Sequence, residues 1–152
     1  MAKSAVNIVN RRAKFEYHLL DKFVAGIQLK GTEIKSIRMG KASIKEAYCV
    51  INDNKEVYIR NMHIAEYENA SFYQHPPKRD RKLLLTKKEI KKLDKGLKTK
   101  GYTIVPLRVF MSDKGYAKVE IALAQGKKLY DKRQALKEQD DKRTMDRVRK
   151  NI

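Results

Sequence analysis

The sequence predicts a mainly β fold with accessory α: a small antiparallel barrel that carries short helices and ends in a basic tail. Three observations predict it. β-Branched and aromatic residues concentrate between residues 15 and 125. Within that span, strand-like runs come in pairs joined by short clusters of turn formers. After Gly126 the chain becomes highly charged, poor in large apolar residues and free of proline. The division expected is a basic N-terminal arm over 1–14, a barrel over 15–125 and a basic tail over 126–152.

The arm holds Lys3, Arg11, Arg12 and Lys14. Tyr17 to Leu29 reads as extended, with a polar break at Asp21-Lys22 and a bend at Gly26. Thr32 to Met39 reads as a short helix, with Thr32 placed to cap its first turn and Gly40 to stop it. Its Ile34 and Ile37 lie three apart, on one face. Ala47 to Ile51 and Glu56 to Asn61 form a hairpin about Asn52-Asp53-Asn54, residue types that tolerate left-handed backbone. Asn69 to Arg81 is a loop, because Pro76-Pro77 forbids regular structure. Leu83-Leu84-Leu85 then reads as a buried strand or docking segment.

Thr86-Lys-Lys-Glu89 is a capping box, with Leu85 and Ile90 spaced as a hydrophobic staple. The helix it opens runs to about Lys100, and Gly101 ends it. Ile90, Leu93 and Leu97 make a thin apolar stripe, and Lys87, Lys88, Lys91, Lys95 and Lys98 coat the rest. Gly96 inside it costs about 1 kcal/mol relative to alanine. Thr103 to Met111 and Tyr116 to Ala124 form a second hairpin. Ala117, Val119, Ile121 and Leu123 alternate with Lys118, Glu120 and Ala122, the period of a half-buried strand. Pro106 predicts an edge position or a bulge in the partnering strand. Several antiparallel strands with too few residues for two full sheets point to a closed barrel of the OB type.

A formal net charge of +18 on 152 residues favours a polyanionic partner, whose counterions are released on binding. An anionic membrane is the competing partner. No segment approaches a run of about 18 apolar residues, so no span is expected. The N-terminus lacks the apolar stretch of a signal peptide. Cys49, the single cysteine, sits in an apolar run and reads as a buried small residue. These features suit the cytosol.

The histidines His18, His63 and His75 fall into no metal-ligand spacing, and no phosphate-binding glycine loop or nucleophile elbow occurs. Glu33, Glu46, Glu56 and Glu120 are scattered over different elements. A nuclease would need clustered acids for Mg²⁺ or a histidine base. The expectation is therefore no catalytic residue, no metal and no cofactor.

Basic clusters are richer. Lys78, Arg79, Arg81 and Lys82 crowd the proline loop near Tyr73 and His75, a mixture of cations and rings that suits unpaired RNA. The tail continues the charge through Lys128, Lys132, Arg133, Lys137, Arg143, Arg147 and Lys150. Its Leu129, Leu136, Met145 and Val148 are too sparse to bury a helix, so it is expected to be disordered when free and to fold against a polyanion.

Several segments, in order and at matching separations over nearly the whole chain, resemble the SsrA-binding protein family, the tmRNA partners in trans-translation. They are Asn10-Arg-Arg-Ala13, Tyr17, Ala25-Gly26, Gly31-Thr-Glu-Ile-Lys-Ser-Ile-Arg38, Arg79, Arg81-Lys-Leu-Leu-Leu85, Gly101, Thr103-Ile-Val-Pro-Leu107, Lys118 and Gly126-Lys-Lys-x-Tyr-Asp-Lys-Arg133. The resemblance implies an OB-type barrel that grips the tRNA-like end of tmRNA. It implies RNA contacts from Asn10, Arg11, Arg12, Lys35, Arg38, Arg81, Lys82 and Leu84. It also implies a tail that becomes helical in the empty mRNA channel of a stalled ribosome. There Lys127, Lys128, Tyr130, Asp131, Lys132 and Arg133 would meet small-subunit rRNA at the decoding centre, with Gly126 as the hinge. Elongation factor Tu is the implied companion in delivering alanyl-tmRNA. Three positions depart from the pattern: Val24 stands where glutamate is common, Thr86 where histidine or asparagine is common, and Gln139 where a basic residue is common. The alternative reading is an OB-fold ribosomal protein or translation factor that binds rRNA, and a third is an RNA nuclease.

Overall fold

Three long strands give the molecule its frame. The computed structural model describes residues 6–70 and 74–127. In chain order the elements are β1 (Asn7–Val9), α1 (Arg11–Glu16), β2 (Tyr17–Ile27), α2 (Gly31–Arg38), β3 (Ala42–Ser43), β4 (Tyr48–Ile51), β5 (Val57–Arg60), β6 (His63–Ile64), β7 (Arg81–Leu84), α3 (Lys87–Leu97), β8 (Tyr102–Met111) and β9 (Ala117–Gly126). The hairpin β8–β9 and the strand β2 along β9 supply the longest ladders.

Strands β8, β4, β5, β7, β2 and β9 pair in that order, and β9 returns to β8. The ring closes, as expected for an OB-type barrel, and closure removes the unpaired edges that an open sheet would expose. Every pairing is antiparallel. β3 and β6 form a separate two-stranded ladder. Inside the ring, Ala25, Val57, Ile59, Ile104, Val109, Val119 and Ile121 are fully buried, and Ile37 of α2 and Leu93 of α3 join them. Cys49 is buried in the same core, and burial pushes its thiol pKa well up, so it packs as the small apolar residue expected.

Local chemistry sets the punctuation. β2 slips register between Leu19 and Lys22, where the polar Asp21-Lys22 break falls. β8 slips between Pro106 and Arg108, because proline cannot donate to the ladder. α2 ends in a Schellman motif: the Gly40 amide donates to Ile37 O at 2.8 Å and the Lys41 amide to Ser36 O at 2.9 Å. Gly40 sits at φ +73, the left-handed conformation that motif needs. The capping box of α3 forms, with Thr86 Oγ1 accepting from the Glu89 amide at 3.3 Å and Glu89 Oε1 from the Thr86 amide at 2.9 Å. Gly96 has a packing reason: a Cβ there would lie 2.3 Å from Leu123 Cδ2, so α3 accepts glycine's cost in order to approach β9.

Four expectations are corrected. Residues 7–14 are not simply an arm: β1 pairs with Arg108, Val109 and Phe110 of β8, and Ala13 of α1 packs with Val105, Leu107, Ala122 and Ala124 on the outside of the hairpin. That second cluster explains why β9 stops alternating and is buried on both faces from Ile121 to Gln125. Lys30, not Thr32, occupies the N-cap of α2. In the β4–β5 turn the left-handed residue is Lys55, at φ +60; Asn52 instead accepts the Asn54 and Glu56 amides on its side chain, at 3.0 and 2.9 Å. α3 ends at Leu97 rather than near Lys100.

Candidate nucleic-acid interface

The ladder registers line up one outer wall of the barrel. Cross-strand partners share a face. Val9, Arg108, Glu120 and Val24 form one row across β1, β8, β9 and β2. Phe110, Lys118, Gly26 and Leu84 form the next across β8, β9, β2 and β7. Their sequence neighbours Val109, Val119 and Ala25 are fully buried, so both rows face outward. Val9, Val24 and Leu84 are 46%, 50% and 49% exposed; one such residue is ordinary, but three on adjoining rows make a patch. The Arg108 guanidinium lies 4.2 Å from the Phe110 ring centroid and 3.3 Å from Glu120. Gly26 keeps the centre of the wall low, since a Cβ there would press on Leu84 Cβ at 3.3 Å. A flat, partly apolar surface bordered by cations suits unpaired bases and their phosphates.

At the tip of the hairpin stands α2. Lys35 and Arg38 are exposed. Lys35 Nζ lies 5.2 Å from the Tyr67 ring centroid. Arg38 Nη2 reaches the β8–β9 turn, 3.7 Å from where a Cβ of Gly115 would stand, next in sequence to Tyr116, which is 65% exposed.

A buried charge cluster holds α2 there. Glu33 is fully buried and accepts from the Lys30 amide at 2.8 Å, from Arg79 Nη2 at 2.6 Å and from Arg81 Nε. Arg81 also donates to Met62 O at 2.7 Å and Pro77 O at 3.2 Å. Burial pushes the Glu33 carboxyl pKa up, but the hydrogen bonds from Arg79, Lys30 and Arg81 outweigh it and leave the group below its ordinary range. Burial likewise draws the Arg81 guanidinium pKa down, against the pull of Glu33. Beside the cluster, His75 Nε2 donates to Ile64 O at 3.0 Å, and its Nδ1 is hydrogen-bonded to the Thr32 hydroxyl at 2.9 Å. Thr32 therefore tethers the loop instead of capping the helix, and His75 is buried and offers no stacking face. Tyr73 lies outside the described residues.

The expected contact residues divide accordingly. Arg11, Arg12, Lys35, Arg38 and Leu84 are exposed, and they are spread along the β8–β9 hairpin: α1 packs on its outside near Val105 and Ala124, α2 meets its turn at Gly115, and Leu84 ends the row through Lys118. Lys82 is half-buried and 2.8 Å from Glu56; that hydrogen bond raises the pKa of Lys82 and lowers that of Glu56. Asn10 and Arg81 are buried instead of presented to a partner. Asn10 Nδ2 donates to Pro106 O at 3.0 Å and its amide to Leu107 O at 2.8 Å, which pins α1 to the bulge in β8. Arg81 is spent on Glu33. Gly126 is the last residue of β9, opposite Tyr17, and Lys127 after it is exposed. Lys128, Tyr130, Asp131, Lys132 and Arg133 lie outside the described residues.

Sequence reading passed over Glu33, Arg108 and Phe110. For Glu33 and Arg81 the signal was present: Glu33 is four residues before Ile37 on a helix, and Arg81 is two before Leu83 on a strand, so each shares its neighbour's inward face.

A family model described as SmpB protein matches residues 7–151. The chain belongs to the SmpB family. It is 59% identical over 144 residues to the SsrA-binding protein of Cytophaga hutchinsonii, covering 95% of this chain and 94% of that one. To the SsrA-binding protein of Christiangramia forsetii it is 52% identical over 148 residues, covering 97% and 94%. A chain in a solved structure described as "tmRNA-SmpB: a journey to the center of the bacterial ribosome" superposes with a TM-score of 0.68 at 43% identity, covering 80% of this chain and 85% of that one. In this SmpB chain Val24 is half exposed in the outer row and offers an apolar surface there. Among the described residues no group of three or more acids, histidines and cysteines could hold a metal, and no helix is long and apolar enough to cross a membrane.

Proposed function

We propose that this chain binds the tRNA-like part of tmRNA and brings it to stalled ribosomes for trans-translation. The observation that carries the reading is its membership of the SmpB family over residues 7–151, together with the cationic, partly apolar wall along β8–β9. Arg11, Arg12, Lys35 and Arg38 meet phosphates. Leu84, Phe110 and the bare backbone at Gly26 meet bases or sugars. Asn10 and Arg81 act by holding α1 and α2 in place.

The protein works by shape and charge and needs no catalytic group. tmRNA brings the alanine-bearing acceptor end and the tag template, elongation factor Tu accompanies the alanyl-tmRNA, and the ribosome performs peptidyl transfer. The segment from Lys127 onward reads the empty mRNA channel. Lys127, Lys128, Lys132 and Arg133 approach rRNA phosphates, Tyr130 stacks on a base, Asp131 meets the decoding centre, and Gly126 is the pivot. The site of action is the cytoplasm.

A salt titration tests the electrostatic part. In log affinity for tmRNA against log salt, each phosphate contact contributes a slope of roughly −0.7 to −0.9. The four exposed cations predict a steep fall, and the variant Lys35→Ala/Arg38→Ala has a slope shallower by about two such contacts. Filter binding or fluorescence anisotropy from low to high salt measures it; a flat response sinks the electrostatic account.

A further inference from the structure

A cleft of about 540 Å³ runs between α3 and the wall formed by β5 and β7, within the range of about 300–1,000 Å³ in which small ligands are held. Its lining includes Val57, Leu83, Leu85 and Ile90, an apolar floor. At its mouth Lys55 pairs with Asp94 at 2.9 Å and Lys82 with Glu56 at 2.8 Å, so those four charges cancel. Lys87 and Lys91 also line the cleft. Both are exposed, and neither has a carboxylate partner among the described residues. The mouth is therefore net cationic over an apolar floor. That combination matches a flat, weakly polar body with a phosphate attached.

The cleft continues the outer wall. Leu84 lines it and also ends the row through Phe110, Lys118 and Gly26. An RNA strand lying on that row passes the mouth. We propose that the cleft is a second RNA subsite, taking one unpaired nucleotide of the RNA held on the outer wall, with its base on the apolar floor and its phosphate between Lys87 and Lys91. The proposal rests on the reading of this chain as a tmRNA-binding protein. Splayed nucleotides are what sequence-specific RNA recognition commonly seizes, and an apolar seat for a base strengthens binding by about tenfold.

The test uses the full chain and intact tmRNA, with base reactivity read nucleotide by nucleotide after chemical modification. The variant Lys87→Glu/Lys91→Glu is compared with Lys88→Glu/Lys92→Glu, which makes the same charge change on exposed α3 residues that do not line the cleft. The expected result is that one unpaired nucleotide, protected by the wild type, becomes reactive again with the first variant only, and that this variant loses about tenfold in affinity beyond the control. Equal weakening by both variants with no nucleotide re-exposed overturns the subsite and leaves α3 as a diffuse cationic field. Unchanged tmRNA affinity and protection with impaired ribosome loading also overturns it, in favour of a ribosomal occupant. A wild-type chain that protects no part of tmRNA overturns the underlying functional reading, and the subsite with it.

Discussion

Replacing Glu33 with glutamine lowers the unfolding free energy by about 3–5 kcal/mol, the usual cost of stranding a buried charge by removing its partner. The variant keeps the shape of the side chain, but the buried Arg81 and the half-buried Arg79 lose their counter-charge. Against a total stability of about 5–15 kcal/mol, this is the largest single-residue effect expected outside the apolar core. The pH dependence follows from the direction of the shift. The folded pKa of Glu33 lies below its ordinary value, so its contribution is complete above the unfolded carboxylate pKa, about 4.3, and is lost as pH falls through the folded pKa. The gap between wild type and Glu33→Gln is therefore widest at neutral pH and closes in acid. Urea unfolding at neutral pH and near pH 3 measures it. A gap that persists unchanged in acid contradicts the ionic account. Because Glu33 anchors the helix that carries Lys35 and Arg38, the folded variant also binds tmRNA more weakly.

Ending the chain after Lys127 separates two activities. Every described element lies before that point, and the last pair of the barrel, Gly126 with Tyr17, is intact. The shortened chain is expected to fold and to bind tmRNA nearly as tightly as the full one, with a slightly shallower salt slope. Tagging of incomplete peptides on stalled ribosomes is expected to fall to background, because the segment with Tyr130, Asp131, Lys132 and Arg133 is gone. Anisotropy measures the first and a reconstituted tagging reaction the second. A shortened chain that still tags removes the division of labour between barrel and tail.

Much of the barrel was legible in the sequence because its rules are local. The box Thr86 to Glu89, the stop at Gly40 and the alternation from Ala117 to Ile121 each depend on a few adjacent residues. Pro106 announced its bulge for the same reason. What stayed hidden depends on partners distant in sequence. β1 is three residues long and carries no pattern of its own; it is a strand only because β8 runs on past its pairing with β4 at Ile104 and leaves Arg108 to Phe110 for it. The alternation of β9 fails after Ile121 because α1, about a hundred residues earlier, covers its outer face. The same holds for the interface. Exposed cations such as Lys35 and Arg38 are visible by composition, but charge alone does not tell a presented arginine from a buried one. Arg81 stands among the loop cations in sequence, although its spacing from Leu83 places it inside. The resemblance to a known family implies Arg81 and Asn10 as contacts; in the fold both are buried, Arg81 against Glu33 of α2 and Asn10 against Pro106 of β8.

The central claim is that the wall along β8–β9 grips one particular folded RNA. The most direct measurement is to sequence the RNA that comes down with the tagged full-length chain from growing cells, alongside a variant carrying Arg11→Ala, Arg12→Ala, Lys35→Ala and Arg38→Ala. The account predicts that tmRNA dominates the wild-type sample and is largely lost from the variant. Ribosomal RNA in subunit proportions from both proteins, with no enrichment of tmRNA, would contradict it.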